Sequence, residues 1–140
     1  MTKNPVQYLI LEDAYYTALD ISETMSRLRP DYLMVGLYEE VSSAIHKLRQ
    51  GGIDFIIADT EVADGNSIEV FAQVGILTPV IFISGYADQA DFARNLNMAD
   101  FILKPVTPVS LERALLRLDA NRNNINARLL YSEVNIKLNF

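Results

Sequence analysis

The chain has 140 residues, half of them hydrophobic, with no cysteine and a formal net charge of −6 at pH 7. That suits one domain with a substantial apolar core, and it excludes both a disulfide framework and a thiolate metal site. Charge is uneven, 17 acidic and 9 basic side chains in residues 1–120 against 1 and 3 in 121–140, and an acidic body argues against direct nucleic-acid binding because phosphate affinity comes from Lys and Arg.

The opening MTKNPVQYLI lacks the charged start and long apolar run of a signal peptide. Tyr8 to Leu11 reads as a short strand that stops at Glu12-Asp13. A helix follows from Ala14 to Leu28, with Leu19, Ile21, Met25 and Leu28 at roughly helical spacing, and Pro30-Asp31 ends it. Tyr32 to Leu37 is a second strand, and Val41 to Leu48 a short helix closed by Gly51-Gly52. The third strand, Phe55 to Ala58, ends abruptly at a carboxylate, which places Asp59 at its carboxyl end facing solvent. A helix over Ser67 to Val74 leads to a fourth strand, Val80 to Ile83. Val70 to Ala87 is uncharged and long enough to span a membrane, but Gln73, Gly75, Thr78-Pro79 and Ser84-Gly85 interrupt it. The expectation is therefore a cytoplasmic chain with no membrane span. Asp88 to Leu96 is a helix with a thin apolar face, Phe101 to Leu103 the last strand, and Leu111, Leu115 and Leu118 stripe a final helix. Five strands, each followed by a helix, imply an α/β fold with a parallel sheet and helices on both faces.

The first polar residues after the apolar runs are Glu12-Asp13, Asp59, Ser84 and Lys104, so all should meet at one edge of the sheet, where open parallel sheets bind ligands. Three crowded carboxylates hold their charges at neutral pH only around a cation. Mg²⁺, which takes oxygen ligands, fits them, whereas zinc is disfavoured because the single histidine, His46, lies in a helix away from the cluster. A hydroxyl and an ammonium added to a carboxylate and a metal make a phosphoryl-transfer site.

In LILEDAYY, FIIADTEVADG, VIFISGYAD and ADFILKPV the chain resembles the receiver domains of two-component response regulators over about residues 5 to 118. The resemblance implies a flavodoxin-like, CheY-like (βα)5 doubly wound sheet of strand order 2-1-3-4-5. It implies Asp59 as phosphoacceptor, Asp13 as a direct Mg²⁺ ligand, Glu12 as a ligand mostly through water, and the Glu61 carbonyl as a further ligand. Ser84 would bond a phosphoryl oxygen, Lys104 would pair with it, Lys104-Pro105 would be cis, and Phe101 would be the switch aromatic. Such a protein is a signalling receiver that catalyses its own phosphorylation rather than a classical enzyme. Its partners would be a histidine kinase or phosphotransfer protein, and a homodimer formed through the face of the fourth helix, last strand and last helix, or through the C-terminal tail.

Departures from the family pattern are Ala63 for Pro and Ser67 for Gly, which predict a less rigid loop after Asp59, and Asn97-Met98 for Gly-Ala. The 20-residue interval from Ser84 to Lys104 and the wording LNMADFILKP are most similar to receivers of LytTR-type transcription regulators. The receiver would occupy residues 1–120 and a C-terminal extension 121–140. There Arg122, Ile125 and Leu129 could extend the last helix on one face, and SEVNIKLNF alternates like a strand, with a disordered end or the start of a further domain as the alternatives. Plainer readings stay open: Glu12-Asp13 as a helix cap, Ser84 as a turn serine, Phe101 as core. Two other functions also stay open, a haloacid-dehalogenase-like phosphatase and an unphosphorylated interaction module. The phosphatase needs a second aspartate where Glu61 stands.

Overall fold

A computed structural model of the chain describes residues 4–94 and 96–121. Five strands, β1 (Gln7–Leu11), β2 (Leu33–Tyr38), β3 (Phe55–Asp59), β4 (Val80–Ser84) and β5 (Met98–Leu103), form one parallel sheet. Their order is β2-β1-β3-β4-β5, as expected. The connecting helices are α1 (Tyr15–Leu28), α2 (Val41–Arg49), α3 (Ser67–Val74) and α4 (Gln89–Ala93), with α5 described over 108–121.

Side-chain alternation along the strands builds two cores, one on each face of the sheet. Ile10, Phe55, Ile57, Ile81, Ile83 and Ile102 point to one face, where Ile21 and Met25 of α1 and Leu111, Leu115 and Leu118 of α5 cover them. Leu9, Ile56, Ala58, Val80 and Phe82 point to the other, against Val41 and Ile45 of α2, Ile68 and Phe71 of α3, and Ala93 of α4. Both faces of β3 are thus buried, which is why its sequence is a continuous apolar run. A two-pronged ion pair from Arg29 to Glu112, at 2.8 and 3.1 Å, ties the end of α1 to α5.

Three elements differ from expectation. The fourth helix, expected over Asp88 to Leu96, forms only over Gln89–Ala93, having no side-chain cap and a single fully buried residue, Ala93. The last strand begins at Met98 instead of Phe101, because Met98 and Asp100 extend the ladder with Val80 and Ile81. A two-residue antiparallel ladder, Glu61–Val62 with Gly65–Asn66, lies in the loop after Asp59 and had no counterpart in the sequence reading. The expectations for residues 122–140 fall outside the described residues. Among those described, no helix is long and apolar enough to cross a membrane.

Candidate functional site

Register brings the polar residues together. Leu11 pairs with Ala58, so the next residues along, Glu12 and Asp59, are neighbours at the strand tips. Asp59 pairs with Ile83, which sets Thr60 level with Ser84, and Ser84 pairs with Leu103, one residue before Lys104. Backbone bonds from Glu12 to Tyr38 and from Lys104 to Ser84, at 2.9 and 2.7 Å, carry the ladder one step past the apolar runs. Polar residues from four strand ends distant in sequence therefore share one edge because all the strands run the same way.

At that edge the Lys104 ammonium donates to Asp59 Oδ2 at 2.6 Å and to the two Glu12 oxygens at 3.2 and 3.4 Å. Carboxylate oxygens of Glu12, Asp13 and Asp59 all lie within 4.8 Å of one another. Asp13 is exposed, but Asp59 is only 4% and Glu12 1% accessible. Asp59 is thus buried rather than solvent-facing as expected, since Lys104 and the following loop close over a strand tip that is itself fully covered. Its other oxygen, Oδ1, accepts the Glu61 N–H at 3.1 Å. Burial first, and then the neighbouring Asp59 carboxylate, push Glu12 up to about 8, and Lys104 offsets only part of this. For Lys104, burial works against the charge, but Asp59 and then Glu12 hold the ammonium above its usual range.

One ammonium beside Glu12 and Asp59, with Asp13 close by, leaves the pocket with surplus negative charge even where Glu12 keeps its proton. That surplus, and an all-oxygen donor set with one exposed member, suit a hard divalent cation such as Mg²⁺. The residues that would hold it are Glu12, Asp13 and Asp59.

Ser84 is fully buried, and its hydroxyl is engaged away from Asp59: Thr60 Oγ1 lies 2.8 Å off, and the Tyr86 N–H donates to it at 3.0 Å. Phe101 is half-buried against the α2–α4 side of the core. Lys104-Pro105 is cis. A cleft of about 510 Å³ opens beside Lys104, lined by Tyr16, Asp20 and Thr24 of α1 and by Val106.

The family model described as the response regulator receiver domain matches residues 9–116. The chain belongs to that family. As a receiver it is part of a two-component system, and the dehalogenase-like alternative falls away. It is similar to the transcriptional regulatory protein NatR of Bacillus subtilis (strain 168), 25% identical over 130 residues that cover 88% of this chain and 55% of that protein. The receiver thus spans about half the length of the curated relative it matches. Its fold is similar to the CheY-like receiver domain from Methylobacillus flagellatus, with a TM-score of 0.69 at 22% identity over 82% of this chain and 99% of that one. It is also similar to the signal receiver domain of a modulated diguanylate cyclase from Desulfovibrio desulfuricans G20, with a TM-score of 0.73 at 20% identity over 86% and 99%.

Three further residues at the site escaped the sequence reading. Thr60 holds Ser84, and its only local signal is being polar directly after the strand. Asn66 caps α3 by accepting the Glu69 N–H at 3.1 Å, while its amide donates to Glu61 Oε1 and Gln89 Oε1, both at 3.1 Å. Asp64, in the turn between Val62 and Gly65, bonds the first N–H groups of α2.

Proposed function

We propose that this receiver accepts a phosphoryl group on Asp59 from the phosphohistidine of a histidine kinase or phosphotransfer protein. The observation that carries it is the 2.6 Å contact of Lys104 with Asp59 inside a cluster of three carboxylates at the sheet edge. A carboxylate oxygen of Asp59 attacks phosphorus, the phosphorus–nitrogen bond breaks, and the imidazole keeps the electron pair and takes up a proton. Glu12, Asp13, Asp59 and the Glu61 carbonyl would hold Mg²⁺, which would supply positive charge to offset that of the phosphoryl group. Lys104 moves its hydrogen bond from Asp59 to a phosphoryl oxygen, and the donor approaches along the cleft between α1 and Val106. A cytoplasmic setting goes with this reading.

The transferred group adds a charge of roughly −1.5 to −2 at pH 7. Ser84 leaves Thr60 and the Tyr86 N–H to reach it, drags the loop after β4, and lets Phe101 follow inward. The face of α4, β5 and α5, on which Phe92 and Leu103 are exposed, then changes shape and receives a partner or a second copy. Residues 1–120 form the receiver in this scheme and 121–140 lead out of it.

Intact-mass measurement after acetyl phosphate and Mg²⁺ tests the reading. The unaltered chain gains one phosphoryl group and Asp59→Asn gains none. Labelling that persists in Asp59→Asn puts the acceptor elsewhere, and no labelling of the unaltered chain favours an unphosphorylated interaction module.

A further inference from the structure

The loop that carries Glu61 is gripped from outside its own segment. α2 starts at Val41 with Glu40 in the N-cap position, yet the Glu40 side chain makes no capping bond. The cap comes from Asp64: Oδ1 accepts the Val41 N–H at 2.7 Å and Oδ2 the Ser42 N–H at 3.2 Å. One residue earlier, the Ala63 N–H donates to the Glu39 carbonyl at 3.4 Å. Gly65, at φ +140, then turns the chain back so that it pairs with Val62. The carboxylate also suits the positive end of the α2 dipole. Accordingly, although burial raises it, the bonds from Val41 and Ser42 hold Asp64 below the usual carboxylate range.

We propose that Asp64 is a positioning residue for the acceptor site: by capping α2 from the turn of the neighbouring loop, it fixes the segment that carries Glu61 and couples α2 to metal occupancy. The proposal rests on the reading of the site given above. Coupling of this kind is reciprocal: a loop ordered by the cation holds the cap more firmly, and a firmer cap favours the cation.

The test uses the full chain and Mg²⁺ alone, with affinity from titration calorimetry and hydrogen exchange at the amides of residues 41–44. In the unaltered chain Mg²⁺ slows exchange at those amides. Asp64→Ala is expected to weaken Mg²⁺ binding about fivefold and to abolish that response, whereas Asp64→Asn, which keeps an acceptor for Val41, stays within about twofold of the unaltered chain. Equal Mg²⁺ affinity in Asp64→Ala and the unaltered chain, even with a lowered melting temperature, reduces Asp64 to a helix cap and overturns the proposal. So does α2 exchange that ignores Mg²⁺ in the unaltered chain. Failure of the underlying reading shows separately, as acetyl phosphate labelling that survives Asp59→Asn.

Discussion

Lys104 reaches across the sheet edge to Asp59, 45 residues earlier in the chain, with its ammonium 2.6 Å from Oδ2. The same ammonium also faces Glu12, so one cation balances two carboxylates that are almost wholly buried. Removing it leaves like charges side by side in a poorly solvated site. Lys104→Met is expected to cost the metal-free fold about 2–3 kcal/mol at pH 7, with the loss limited because Glu12, pushed up to about 8, already carries its proton for most of the time. Mg²⁺ restores more of the stability to this variant than it adds to the unaltered chain. Denaturant unfolding in chelator and in Mg²⁺ measures both quantities.

Glu12 makes stability depend on pH in a definite direction. Its folded-state value of about 8 lies above the ordinary 4.5, so between these limits the native state binds more protons than the unfolded state. The contribution of this group is fully present below about pH 4.5 and is lost as pH rises to about 8. Metal binding at the proposed site is expected to run the other way: it needs the ionised carboxylate, so Mg²⁺ affinity should climb with pH and level off above about 8. Unfolding curves in chelator from pH 5 to 9 check the slope, and Glu12→Gln flattens it.

Thr60 and Ser84, 2.8 Å apart, hold the unphosphorylated arrangement. Thr60→Val keeps the shape and removes the hydroxyl, at a cost of about 1 kcal/mol to the metal-bound, unphosphorylated fold. In the proposed switch that bond breaks when Ser84 turns to a phosphoryl oxygen, so its loss is expected to favour the phosphorylated form. The variant is expected to reach a higher labelled fraction at limiting acetyl phosphate, read by intact mass.

Asp100, 6% exposed on β5, is paired with Arg117 at 2.7 Å and Arg113 at 3.3 Å on α5. Either arginine can serve when the other is absent. Arg113→Ala or Arg117→Ala alone costs under about 1 kcal/mol, since both guanidiniums are half-exposed. The double variant leaves a buried carboxylate without a cation, and its loss of about 2–3 kcal/mol exceeds the sum of the single losses. A double-mutant cycle in urea measures the difference.

The candidate site was legible because it follows from strand ends. Apolar runs that stop at Glu12, Asp59, Ser84 and Lys104 mark where each strand leaves the core, and parallel strands bring those ends to one edge. Less legible was everything set by partners far along the chain. The loop after Asp59 reads as loose from Ala63 and Ser67, yet Asp64 bonds α2 and the Ser67 hydroxyl donates to the Asp59 carbonyl at 2.6 Å. Asp88 to Leu96 reads as a full helix, although only Gln89–Ala93 is helical, with Ala93 its single buried residue and no side-chain cap.

What could be known from residue order alone is the periodic part: strand and helix alternation, the two-faced sheet, and the set of polar groups at its rim. These are local properties, fixed by side-chain period and by the turn residues between segments. Folding alone settled which hydroxyl holds Ser84, how deeply Asp59 lies, that Glu12 is pushed up to about 8, and that a loop carboxylate caps a neighbouring helix. Each depends on distances between segments 23 to 92 residues apart, and electrostatic and hydrogen-bond energies change steeply over those few ångströms.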